Sequence, residues 1–219
     1  LNTNAKVKRL VLITSIAVLG VVVLSFFLLN QNEEADVDMP SVEEQPTLGD
    51  SDAPVTVIEF GDYKCPACKD WDETVFPQLE EDYIESGQVQ FAYINTLFHG
   101  EESLLAALAS EAVWEQSPGA FWSFHKDVFQ EQPEAQSHDD AWVTIDKLVE
   151  IASGSDGTID EEQLEEDIQN AAFSENVMMD QELVEEYEVS LTPTIIINGI
   201  MLEDPFDYER IVELIEEEA

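Results

Sequence analysis

Hydrophobic positions along the chain follow three different rules. From Leu10 to Leu29 they are nearly unbroken: LVLITSIAVLGVVVLSFFLL carries no charge over twenty residues. A helix of that length, rising 1.5 Å per residue, spans about 30 Å, the thickness of a bilayer's hydrocarbon core. From Asn30 to Ala53 there is no period, and acids with Pro40 and Pro46 take over, so this stretch reads as a solvated tether. Fully extended, it reaches up to about 80 Å. Regular periods begin at Val55.

Val55-Thr56-Val57-Ile58-Glu59-Phe60 is a β-rich run closed by Gly61 and Asp62. A helix is predicted from Cys65-Pro66 to about Ser86, with Pro66 in the favoured first turn and Pro77 kinking it. Gly87 ends it, and VQFAYI, Val89 to Ile94, predicts a second strand, parallel to the first through a right-handed crossover. Helical periods follow. Leu104, Leu105, Leu108 and Ala112 mark one face, Pro118-Gly119 breaks it, and Phe121, Phe124 and Val128 mark the next. Val143, Leu148 and Ile151 mark a third helix, and Leu164 and Ile168 a fourth. A helix over about Ser174 to Glu188 leads into Leu191-Thr192-Pro193-Thr194. Ile195 to Ile197 and Ile200 to Leu202 flank Asn198-Gly199, a strong hairpin signal, and Asp207 to Glu217 closes the chain as a helix.

Charge sharpens the division. Of eight Lys and Arg, three (Lys6, Lys8, Arg9) precede the apolar run in a thirty-residue stretch without acids, so five cations face all 49 Asp and Glu beyond it, a net of −44. The flanking charges put the N-terminus in the cytoplasm and the rest outside a membrane. The run ends Phe26-Phe27-Leu28-Leu29-Asn30, unlike a signal-peptide cleavage site, and no cysteine follows it for lipid attachment. So acidic an outer region repels phosphate backbones, which excludes nucleic-acid binding. Acids spread through every element suggest a surface adapted to high salt, where the Debye length falls to about 3 Å.

The chemistry rests on Cys65-Pro66-Ala67-Cys68, the chain's two cysteines, placed after a strand and opening a helix. At the cap position, Cys65 faces the free N–H groups of Ala67 and Cys68, which favour thiolate over thiol. Lys64 beside it adds positive charge, and Lys64, Pro66 and Ala67 make up the expected thiolate-stabilising set. Cys68, one turn in, is suited to leave and to resolve. A structural disulfide closing so short a loop gains little. Zinc needs four ligands, and His99, His125 and His138 are too widely spaced to complete a set, so they read as structural or surface groups.

The stretches FGDYKCPACKDW, GAFWSFHKDVF and LTPTIIING together resemble the DsbA-like thiol-disulfide oxidoreductases, in particular the membrane-anchored Gram-positive BdbD type. The resemblance implies an α/β thioredoxin fold over residues 54–219 with a helical insertion at about 99–172, behind an anchor at 1–29 and a linker at 30–53. It also implies a cis Thr192–Pro193 bond beside the cysteines, where these two residues bind extended substrate, and an acid, Glu59, buried beneath Cys65 and Cys68 and able to exchange a proton with Cys68. The function it implies is oxidation of reduced exported proteins without a cofactor, the site being recharged by a DsbB-like membrane quinone reductase of the BdbC type. Ala67 departs from strongly oxidising members, which carry His there, so a reductase or isomerase of the same fold is the rival expectation, and a non-catalytic binding module a second. Asp156-Gly157-Thr158-Ile159-Asp160 looks like part of a calcium loop, but Ala152, Gly154 and Gln163 would occupy ligand positions there.

Overall fold

A computed structural model of the protein describes Gly20 and residues 34–133, 141–155 and 158–218. Apart from Gly20, the expected anchor Leu10–Leu29 lies outside the described residues, as do His138, Asp156 and Gly157. Among the described residues, no helix is long and apolar enough to cross a membrane.

Six strands form one sheet: β1 (Ala35–Asp36), β2 (Thr47–Leu48), β3 (Val55–Gly61), β4 (Val89–Asn95), β5 (Thr194–Ile197) and β6 (Ile200–Met201), in the order β1-β6-β5-β3-β4-β2. The central pair β3 and β4 is parallel and every other pairing antiparallel. Both faces of β3 and β4 are covered, which explains their nearly continuous apolar runs. Val55 and Val57 face one core with Phe91, Tyr93, Ile195 and Ile197, while Ile58 and Phe60 face a second with Ala92, Ile94 and Ile196. By alternation Glu59 shares the face of Val57. Its register neighbours are Tyr93 and Ile195.

The expected single kinked helix after β3 is instead three pieces: α1 (Pro66–Thr74), α2 (Phe76–Leu79) and a π-helical turn (Glu80–Ile84). Pro77 has no N–H for the ladder, so the chain breaks at Val75 and restarts. Trp71 of α1 is fully buried, stacks on Phe91 and donates its indole N–H to the Pro205 carbonyl at 2.8 Å.

The helical insertion comprises α3 (Glu101–Gln116), α4 (Pro118–Glu131), α5 (Ile145–Gly154) and α6 (Glu161–Gln169), followed by α7 (Ser174–Glu186) and, after the hairpin, α8 (Tyr208–Glu218). The face predicted for α3 was wrong in part, since Leu104 is exposed and Leu105 half-buried. This helix packs against α4, α5, α6 and α7, so it is enclosed from Ala106 to Val113 and no polar stripe remains. On α4, Phe121, Phe124 and Phe129 are core residues, while Trp122, like Trp114 of α3, is only partly buried.

The linker expected at 30–53 is also corrected. From Ala35 the chain belongs to the folded unit, with β1 pairing β6 and β2 pairing β4. Asn198 and Gly199 both have positive φ, as a tight primed turn requires. A Cβ at Gly199 would lie 2.7 Å from the Val37 carbonyl oxygen, so glycine there lets β1 close on the hairpin.

Candidate active site

Cys65 is the N-cap of α1, and Pro66 begins the helix without costing a hydrogen bond. The Asp62 carbonyl accepts the Cys65 N–H at 2.9 Å and closes the turn. Cys65 and Cys68 are free thiols. A hydrogen bond from the Cys68 side chain leads the forces that bring the Cys65 thiol down to about 5. Burial works against it, and the Thr192 side chain and the N–H groups of Cys68 and Ala67 assist. Cys68 moves the other way. Burial pushes its thiol up, reinforced by the bond to Cys65 and by the charges of Glu59 and Cys65, while the Asp62 N–H donates to its sulfur at 3.4 Å.

The Thr192–Pro193 bond is cis, and the Thr192 carbonyl oxygen lies 3.5 Å from Cys65 Sγ.

Glu59 is 1% exposed, and neither carboxylate oxygen has a hydrogen-bond partner among the described residues. Burial first, then the charges of Asp72 and Cys65, raise it well above the usual carboxylate range. Gly61 keeps this space open, since a Cβ there would lie 2.8 Å from Glu59 Oε1 and closer still to Tyr93 Cε2. Beyond it, burial pushes Asp72 up to about 7 and His125 down to about 3. The His125 ring packs among Tyr63, Tyr93, Trp122 and Phe129, and its Nδ1 is hydrogen-bonded to the Tyr63 hydroxyl at 2.9 Å.

Lys64 does not have the place expected of it. Its ammonium is buried against Glu102 rather than set beside the Cys65 sulfur. Glu102 also accepts the N–H groups of Trp142 and Val143 at 2.8 Å. On the other side, Lys69 reaches the Gln132 carbonyl at 2.9 Å, and Gln132 Nε2 donates to the carbonyls of Tyr63 and Cys65 at 3.0 and 3.3 Å. The helical insertion thus grips the cysteine turn from two sides. Sequence reasoning missed Glu102 and Gln132 here, and it read Asp62 only as the close of the first strand.

A separate buried cluster joins β4, α3 and α7: Asn95 Nδ2 donates to Glu111 and Asp180 at 2.9 Å, and Gln45 Nε2 to Asp180 at 2.8 Å. Burial raises both carboxyls. Among the described residues, no three His, Cys, Asp or Glu side chains converge as a metal site.

The thioredoxin family pattern matches residues 41–217. Disulfide bond formation protein D of Bacillus subtilis is 42% identical over 188 residues, covering 86% of this chain and 83% of its own. The probable disulfide bond formation protein D of Bacillus cereus is 36% identical, covering 92% of this chain and 93% of its own. The crystal structure of oxidised BdbD from Bacillus subtilis superposes with a TM-score of 0.80 at 41% identity, covering 85% of this chain and 98% of that one. DsbA of Chlamydia trachomatis shares the fold, with a TM-score of 0.71 at 20% identity over 84% of this chain and 96% of its own.

Proposed function

The chain belongs to the thioredoxin family, among the DsbA-like thiol-disulfide oxidoreductases that introduce disulfide bonds, and from that premise we propose that it oxidises reduced proteins exported across a membrane. The observation that carries the reading is the placing of the two thiols, Cys65 capping α1 among free N–H groups and Cys68 fully buried a turn inside, which moves Cys65 downward and Cys68 upward. A disulfide whose outer sulfur is stable as thiolate is readily given away.

In the oxidised enzyme a substrate thiolate attacks Cys65 Sγ, and Cys68 leaves. Its sulfur is buried and disfavours charge, so Glu59, itself held protonated by burial, supplies the proton. The substrate's second thiolate then attacks its own mixed-disulfide sulfur and releases the Cys65 thiolate. Thr192 and Pro193 would bind the substrate backbone beside Cys65. The chain itself needs no cofactor for this exchange, and a DsbB-like membrane quinone reductase of the BdbC type restores the disulfide. Leu10–Leu29 anchors the protein in the lipid bilayer with the catalytic domain outside, a reading supported by the uncharged twenty-residue run and its basic flank.

The test is to mix the oxidised protein with a reduced, unfolded model protein, separate the two and count the client's remaining thiols. The proposal expects one client disulfide per enzyme disulfide consumed and none with Cys65→Ser. Thiol loss that persists with Cys65→Ser would overturn it. Protease shaving of intact cells, expected to remove the domain and leave a membrane-bound stub, tests the location.

A further inference from the structure

Pro66 and Ala67 place no ionisable side chain between the cysteines, and Lys64 is engaged with Glu102. A titratable ring reaches the site from elsewhere. His99 lies between β4 and α3, and its Nδ1 is 2.8 Å from Asp62 Oδ2. That buried carboxyl group also takes the N–H groups of Lys64, Phe98 and His99 and the Ser103 hydroxyl, at 2.8, 2.9, 3.3 and 2.9 Å. A carboxylate ringed by donors favours an imidazolium as one of them. Through its own backbone Asp62 bonds both cysteines, its carbonyl taking the Cys65 N–H and its N–H meeting Cys68 Sγ. One residue therefore ties the imidazole to the reacting pair.

We infer that His99, held as imidazolium by Asp62, is the cation that supports the Cys65 thiolate, in place of any charged residue within the motif. This deepens the disulfide-donor reading and rests on it. The groups facing His99 are consistent in sign. The bond to Asp62 raises its pKa most, burial opposes, and the charges of Asp62 and Cys65 raise it further against Lys64. Coupling is reciprocal, so a thiolate that favours the imidazolium is favoured by it to the same extent. The support is present below the imidazolium's pKa and is lost as pH rises through it. When a substrate dithiol is oxidised, two electrons and one proton pass to the enzyme disulfide, leaving Cys65 as thiolate and Cys68 as thiol. The second substrate proton goes to His99 where that ring is neutral, and otherwise to solvent.

His99→Asn keeps a donor where Nδ1 stood and removes only the charge. The ultraviolet absorbance of the Cys65 thiolate is followed against pH, together with the equilibrium constant with glutathione. The Cys65 midpoint should rise, and the equilibrium should move about two- to fivefold towards oxidised enzyme, the size expected for a partly exposed pair. His99→Lys should restore both. Should His99→Asn not fold, the His99 ring is titrated by NMR in the reduced protein and in Cys65→Ser, where its midpoint should fall. An unmoved thiolate midpoint in His99→Asn, or an unmoved His99 midpoint in Cys65→Ser, overturns the inference. A low reduction potential with this coupling intact would instead contradict the donor reading alone.

Discussion

Hydrogen bonding with Cys68 is the largest force drawing Cys65 towards thiolate, whereas Cys68 is held as thiol first by burial and only then by its bond to Cys65. The helix start explains the rest of the asymmetry. Cys65 caps it among free N–H groups, whereas Cys68 lies a turn inside, closed off from water.

Cys68→Ser keeps a hydroxyl donor for Cys65 but removes the leaving and resolving sulfur. The expected outcome is a long-lived mixed disulfide between Cys65 and glutathione or a client, seen as a mass increase, with no net client oxidation. Cys68→Ala removes the donor as well, and the Cys65 titration midpoint should rise by about one unit or more, further than in Cys68→Ser. Equal midpoints in the two variants would show that this bond does not set the value.

Glu59→Gln removes a buried acid that has no hydrogen-bond partner among the described residues while keeping its shape. Exchange at Cys68 should slow by about tenfold or more, as expected when a positioned proton donor is lost. The reaction of Cys65 with small alkylating agents, which needs no proton at Cys68, should change little. Stopped-flow fluorescence of Trp71 during reduction by a dithiol reads the first effect. Unchanged rates across the pH range would remove Glu59 from the mechanism.

Stability should be greatest at mildly acidic pH. Asp72 is raised to about 7 in the fold, so its stabilising proton is held below its unfolded pKa and the contribution is lost as pH rises to about 7. Glu59, Glu111 and Asp180 are raised too and add to that loss. His125, lowered to about 3, acts oppositely, contributing stability above about 6.5 that is lost as pH falls. In the oxidised protein, where Cys65 has no thiol to titrate, the four raised carboxyls and the raised His99 oppose His125, and the urea midpoint should be lower at about pH 8 than at about pH 5. Asp72→Asn should narrow the gap. A midpoint that rises steadily from pH 5 to 8 would contradict the assignment.

What could be read without a structure followed the range of the forces involved. The β3–α1–β4 unit and the hairpin at Asn198-Gly199 are written in local periods and turn chemistry, and both are found as expected, apart from the break at Val75. Thr192–Pro193 carried no local sign of its cis form, which entered through the family resemblance alone. The edge strands Ala35–Asp36 and Thr47–Leu48 are too short to show a period and exist because Met201 and Ala92 lie opposite them. Leu104 misled because α3 is enclosed, so the rule of one apolar face did not hold. Lys64 misled for a similar reason. Its partner Glu102 is 38 residues away, and nothing in the spacing joins the two.

Salt dependence tests the meaning of the charge. With a formal net charge of −41, the acids repel one another unless screened. The urea midpoint of the folded domain should fall on moving from about 1 M salt, where the Debye length is about 3 Å, to about 0.01 M, where it is about 30 Å. An unchanged midpoint would mean that the acidity serves something other than tolerance of salt.

The most direct measurement of the central claim is the reduction potential of the Cys65–Cys68 pair, by equilibration of the folded domain with glutathione in high salt. A disulfide donor should lie towards about −120 mV, the region of strong oxidants. A value near about −270 mV, the thioredoxin range, would contradict the account and make the protein a remover of disulfides.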